Sequence, residues 1–296
     1  MLRRLLIVGL FIGSLTGCTS VTPTALVAET PQTRTETPVG QLLATGTAPA
    51  TIPTLPPTAT GDLKLTILFD NYPFDSRLSI QWGFAALVEY HGHTLLFDTG
   101  ADGSMLLENM KQLGADPRSV EAVIISHAHD DHTGGLQALL HTGSRPTVYT
   151  PPFSGLLKSV GAQTKLVEVT NALEIFPGVH TTGPVNDEQA LVVETRDGTV
   201  VITGCAHPGA AKMVRQAQEV VPGKIALLAG GFHFYETSKA KLPSIIAELR
   251  QLGVEKVLPS HCTGDEAIAL FRTEYGENYV EGGVGRTVTL PGKKLD

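Results

Sequence analysis

The chain has 296 residues, enough for one large domain, and its 42% hydrophobic and 17% charged content excludes a wholly disordered protein. A formal net charge of −7, without any extended block of Lys or Arg, lacks the basic stripe that a phosphate backbone requires, so no nucleic-acid partner is expected. The three cysteines, Cys18, Cys205 and Cys262, are too few for a disulfide scaffold, and the last two lie beside histidines, which suggests a metal environment.

The N-terminus reads as an address. Met1-Leu2-Arg3-Arg4 is a short positive end, and the apolar run Leu5 to Leu15 is too short to cross a bilayer but suits a signal peptide. Leu15-Thr16-Gly17-Cys18 resembles the bacterial lipobox, whose cysteine becomes a diacylated N-terminus. Residues 1–18 are therefore expected to be a lipoprotein signal peptide, and the protein to be exported and lipid-anchored to the cell membrane, facing away from the cytoplasm. Residues 19–60, rich in Thr and Pro, cannot build a core and are expected to form a disordered spacer. The folded catalytic domain is then residues 61–296.

From Gly61 the pattern changes. Leu63 to Phe69 predicts a strand, and Phe84 to Tyr90 with His93 to Phe97 predicts a hairpin. Val120 to Ile125 reads as a buried strand, followed by a histidine-rich loop and a helix over Thr133 to Leu140. Ala190 to Thr195 and Thr199 to Thr203 form a second hairpin. A helix from Pro208 to about Val220, a strand over Lys224 to Leu228 and a helix from about Lys239 to Leu252 come next. Strand Val254 to Leu258, helix Asp265 to Tyr275 and strand Val284 to Leu290 complete the order. Hairpins mixed with strand–helix–strand units imply an α/β fold of two mixed sheets with helices outside, a four-layer αββα sandwich.

The strongest chemical signal is Ser126-His127-Ala128-His129-Asp130-Asp131-His132-Thr133-Gly134-Gly135, set between a strand and a helix. His127 and His129 can approach one metal together, and a tight turn can aim Asp131 and His132 at a second. Imidazole and carboxylate suit zinc or another borderline divalent ion, with positions left open for water. His233, in Gly230-Gly231-Phe232-His233, ends a strand on the same edge and is a candidate for substrate contact or an alternative ligand. His91, His93 and His141 read as ordinary surface residues.

His127-x-His129-x-Asp131-His132 resembles the metal-binding signature of the metallo-β-lactamase superfamily, and the resemblance spans roughly Leu63 to the C-terminus. It implies an αββα sandwich with two divalent metals, Zn2+ before Mn2+ or Fe2+, at the shared edge of the sheets. It implies that Asp98, in Leu96-Phe97-Asp98-Thr99-Gly100, supports the metal loop without binding metal. Cys205 stands where the family usually carries a metal-bridging aspartate, and His261, in Ser260-His261-Cys262, matches the family's last histidine, a ligand of the second metal. His207 is close enough to replace Cys205, to complete the first metal or to touch substrate. His180, in Pro177-Gly178-Val179-His180, resembles the segment that supplies the family's third histidine, with one extra residue in between.

Asp70-Asn71, Trp82-Gly83-Phe84, Gly204-Cys205-Ala206-His207-Pro208-Gly209 and Gly282-Gly283-Val284-Gly285 are similar to the branch related to dihydropterin–ribofuranosylaminobenzene phosphate synthase. The resemblance implies a hydrolase acting on a small ester, lactone, thioester or phosphoester through metal-activated water, with Asp131 orienting that water or taking its proton. Alternatives are a transferase like that synthase and a non-catalytic metal- or ligand-binding lipoprotein. Di-iron oxygen or nitric-oxide chemistry is not expected, because that branch carries a carboxylate where His129 stands.

Overall fold

The computed structural model describes residues 61–152, 164–235 and 237–295. The expected signal peptide, lipid anchor and spacer lie outside the described residues. Among the described residues no helix is long and apolar enough to cross a membrane.

Strands β1 (Leu63–Phe69), β2 (Ala85–Tyr90), β3 (His93–Phe97), β4 (Ala122–Ile124), β5 (Thr147–Thr150), β6 (Lys165–Glu168) and β13 (Thr287–Leu290) form one sheet in the order β13-β1-β2-β3-β4-β5-β6. Strands β7 (Leu173–Phe176), β8 (Val179–Thr181), β9 (Leu191–Thr195), β10 (Gly198–Thr203), β11 (Ile225–Gly231) and β12 (Val254–Ser260) form the other, in the order β12-β11-β10-β9-β8-β7. The helices are α1 (Gly103–Gln112), α2 (Asp130–Thr133), α3 (Leu136–His141), α4 (Ala210–Val220), α5 (Leu242–Gln251) and α6 (Asp265–Tyr275).

Alternation along the strands builds the layers. Leu95, Phe97, Val193, Val200 and Ile202 point into the core between the sheets. Their neighbours point outward. Leu96 and Val123 meet Leu106, Met110 and Leu139 of the first helical layer, while Val192 and Val201 meet Val214, Ile246 and Phe271 of the second. Residues with a period of two therefore fill three separate interfaces, as the αββα architecture demands.

The boundaries differ from the sequence reading in instructive ways. The helix expected over Thr133 to Leu140 is interrupted at Gly134-Gly135, where a Cβ would lie 2.2 Å from Ala101 O and 2.1 Å from Thr99 O. Close backbone approach, not helix propensity, governs that pair. The expected helix Lys239 to Leu252 begins with a short 3-10 turn before α5. The last strand is shorter than expected, with Val284 bridging Pro73 instead. Strands β3 to β6 run parallel, as do β10 to β12, so the C-terminal ends of β3, β4, β10, β11 and β12 carry Asp98, His127, Cys205, His233 and His261.

Candidate metal centre

Asp98 sits just past β3 with φ 56° and is completely buried. Its carboxylate accepts from Ser126 N, Ser126 Oγ and His132 Nδ1, each at 2.7 Å. Burial pushes its pKa up to about 7, against the opposing pull of His127 and Ser126. Asp98 thus grips the metal loop from behind and fixes the ring of His132.

Each main imidazole is held in the same manner. His127 Nδ1 lies 2.8 Å from Ser126 Oγ, His132 Nδ1 2.7 Å from Asp98 Oδ2, His207 Nδ1 2.9 Å from Glu188 Oε2, and His261 Nδ1 3.0 Å from Asn71 Oδ1. Anchoring Nδ1 leaves Nε2 as the free ligand atom, which is how metal-binding histidines are oriented. His129 is the exception, presenting Nδ1 at 3.0 Å from His127 Nε2.

The ligand atoms gather into overlapping groups, all within 4.8 Å of one another in each. His127, His129 and His207 form one, and Asp131, His132 and His261 another. Cys205 joins His127 and His132 between them, and also groups with His207 and His233 and with His261 and Cys262. Cys205 Sγ is 3.3 Å from His132 Nε2, while Asp131 Oδ2 is 3.6 Å from His132 Nε2 and 3.3 Å from His261 Nε2. Neighbouring ligands around a tetrahedral zinc stand about 3.3 Å apart, so these spacings fit such an ion. His261 Nε2 is buried and faces the Asp131 carboxylate at the ligand edge.

Electrostatics agree with the donor set. Burial depresses the pKa of His127 and of His132 to about 3, so both rings are neutral and able to donate a lone pair. Burial would raise Asp131, but His261 and His132 hold it well below the usual carboxylate range. Cys262 beside Cys205, together with burial, pushes the Cys205 thiol up, so its sulfur ionises only under a strong local positive charge.

Glu188 and Asn71 complete the support, and neither role was legible beforehand. Glu188 is 2% exposed and accepts from the backbone N–H groups of Cys205, Ala206 and His207 as well as from His207 Nδ1. Asp70 accepts from His261 N and from Ser260 Oγ. A cavity of about 480 Å³ opens beside His127, His129, Glu188 and His207, with Pro152, Asn186 and Asp187 on its wall.

His180 is not brought to this group, which corrects the expectation that it supplies a third histidine. It pairs with Val192 in the β8–β9 ladder, and Val179 and Thr181 take the inward positions. Its Nε2 meets Glu194 Oε1 at 3.0 Å. His233 is brought in, its ring 4.4 Å from that of His207.

This architecture and ligand arrangement are those of metal-dependent αββα enzymes. A sequence profile of the metallo-β-lactamase superfamily matches residues 83–261, and the chain belongs to that superfamily. The 7,8-dihydropterin-6-methyl-4-(β-D-ribofuranosyl)-aminobenzene-5′-phosphate synthase of Methanocaldococcus jannaschii is 26% identical over 274 residues, covering 74% of this chain and 93% of the relative. Among solved structures, Tm1679, a metal-dependent hydrolase of the β-lactamase superfamily, superposes with a TM-score of 0.67 at 28% identity, covering 79% of this chain and 100% of that one. Zn2+-bound PqqB from Methylobacterium extorquens shares the fold at a TM-score of 0.52 and 16% identity, covering 76% of this chain and 99% of that one.

Proposed function

We propose that the protein is a metal-dependent hydrolase of a small ester, lactone, thioester or phosphoester, held outside the cytoplasm by lipid on Cys18 and spaced from the membrane by residues 19–60. The observation that carries the reading is the pair of ligand groups, His127/His129/His207 and Asp131/His132/His261, sharing one edge with Cys205 between them. Two divalent cations bound there, zinc before manganese or iron, would lower the pKa of water and polarise a carbonyl or phosphoryl oxygen.

The protein's own groups do the rest. Asp98, Ser126, Glu188 and Asn71 fix the imidazoles so that no reorganisation accompanies reaction. Asp131, kept ionised by His261 and His132 against the opposing effect of burial, orients the attacking water through its carboxylate. His233, beside His207, contacts the substrate. The test is turnover of ester, lactone, thioester and phosphodiester probes by metal-stripped and zinc-reloaded protein. Equal rates in the two forms would dismiss the hydrolase.

A transferase reading draws its support from the resemblance to the M. jannaschii synthase over nearly all of that protein's length. Incubation of the reloaded protein with a pterin and a ribosyl phosphate acceptor separates the two, since condensation product without hydrolysis favours transfer. A non-catalytic metal-binding lipoprotein would show neither.

A further inference from the structure

Two large aromatic side chains stand exposed at the mouth of the metal centre. Trp82 is 48% exposed and Tyr235 is 51% exposed. Their rings meet edge to face, with centroids 5.9 Å apart and planes at 81°. Trp82 also lies 4.8 Å from the ring of His261, and Tyr235 lies 5.0 Å from that of His233. An exposed aromatic pair against a buried polar site is the kind of apolar surface that calls for an explanation.

The pair is fixed to the machinery by backbone. Gly83, next to Trp82, has φ 141°, and a Cβ there would lie 2.6 Å from Asp131 O and 3.1 Å from Ala101 N. Phe84 N donates to Asp131 O at 3.2 Å. Tyr235 rests on Gly264, where a Cβ would lie 3.0 Å from Tyr235 Cα. One ring is therefore carried by the Asp131 loop and the other by the turn that follows His261. A movement of either would be felt at a ligand residue.

Perpendicular rings make a corner, a wall and a floor, which suits a flat ring stacked on one face with its edge toward the other. Polar groups flank the corner. Tyr72 Oη donates to Asp265 Oδ1 at 2.8 Å, one residue beyond the glycine under Tyr235. The Asp265 carboxylate can accept from a ring N–H that an aliphatic group lacks, whereas a heteroaromatic ring can stack and hydrogen-bond together. The cavity lined by His127, His129 and His207 leaves room for the rest of the molecule.

Resting on the metallohydrolase reading of the same site, we infer that Trp82 and Tyr235 form a recognition corner for a planar heteroaromatic part of the substrate. The scissile ester or phosphate would then lie over the ligand groups and the remainder in the cavity. Trp82 is the only tryptophan in the chain, so its fluorescence reports on this corner alone.

The test compares guanosine 5′-monophosphate with ribose 5-phosphate, which differ only by the base, on the zinc-loaded full chain. Calorimetry and Trp82 quenching are both read. The nucleotide is expected to bind about tenfold more tightly, the usual worth of stacking one base on an aromatic side chain. W82A should bring the two affinities together, W82F should restore most of the difference, and zinc content should stay the same in both. Equal affinities in the wild type, including no binding of either at millimolar concentration, would overturn the inference. So would loss of zinc in W82A, which would make Trp82 a support for His261. Zinc-dependent turnover of a saturated lactone, with no base discrimination, would sink the corner and leave the hydrolase standing.

Discussion

Glu188→Gln isolates the part of the site that no motif announces. Glu188 Oε1 accepts from Cys205 N at 2.9 Å and Ala206 N at 2.7 Å, and Oε2 accepts from His207 N and His207 Nδ1, both at 2.9 Å. Glutamine keeps the shape and one acceptor oxygen but turns the other position into a donor facing donors. Two bonds to a charged acceptor, each worth about 1.5–3 kcal/mol, are lost, so the metal-free protein should lose about 3–6 kcal/mol of stability. His207 also loses the partner that fixes its ring, and such losses lower metal affinity about 10- to 100-fold. The larger loss should fall on one cation, because His207 groups with His127 and His129, whereas His132 and His261 are held by Asp98 and Asn71.

The pH dependence of the same variant has a definite sign. Burial would raise the Glu188 pKa, but the His207 hydrogen bond, the neighbouring His127 when it is protonated, and the backbone donors bring it from 4.5 down to about 2. A depressed carboxylate stabilises the folded state above its unfolded pKa, and that contribution disappears as pH falls through the folded value. The shift corresponds to about 3 kcal/mol. In metal-free protein, the stability gap between wild type and E188Q should therefore narrow between pH 4.5 and about 2. Chelator-competition titration with zinc and urea melts across that range measure both effects. A constant gap with two unchanged zinc affinities would refute the role assigned to Glu188.

Cobalt-loaded wild type should show thiolate-to-cobalt charge-transfer absorption that is absent from C205S. A wild-type spectrum without it would remove Cys205 from the ligand set. H180A should keep both zinc affinities and lose only about 0.5–1.5 kcal/mol, the worth of one hydrogen bond, while loss of a zinc would return His180 to the site. In G204A the new methyl would lie 2.1 Å from Ser126 Oγ and 2.9 Å from Asp98 Oδ2. Overpacking of about 1–3 kcal/mol and weaker zinc binding are expected, and an unchanged thermal melt would contradict the close packing behind Asp98.

What was legible in the sequence was what acts locally. The strand over Leu63 to Phe69 has the expected bounds because alternating side chains and β-branching declare it. The His127 to His132 run is legible because four candidate ligand residues, three histidines and an aspartate, fall within one loop. Glu188 is not, because it reaches Cys205 and His207 from 17 and 19 residues away and its own segment, Asn186-Asp187-Glu188-Gln189, looks like any polar turn. Helix α1 had signals that went unread, an Asp102 side chain accepting from Met105 N and Leu106 and Met110 four residues apart on the buried face. Strands β7 and β8 are short and partly exposed, with no run long enough to show a period. His180 stays out of the group although its glycine-containing turn resembles the family's segment with one extra residue, because strand alternation decides which way its ring points.

Four non-glycine residues hold left-handed backbone at the ligand edge: Asp98 at φ 56°, Ala206 at 58°, His233 at 52° and His261 at 48°. Each costs about 1–2 kcal/mol against ordinary backbone, so this edge carries about 4–8 kcal/mol of local strain by the same measure. Strain of that size persists only where the surroundings over-determine it. Asp98 is tied by Ser126 and His132, Ala206 N by Glu188, and His261 N by Asp70. Left-handed residues turn the chain sharply off the strand ends, which is what lets side chains from both sheets converge instead of splaying apart. The buried carboxylates Asp70, Asp98 and Glu188 are therefore best understood as the anchors that make those turns possible. The stability of the three apolar interfaces is spent, in part, on holding imidazoles where a cation can meet them.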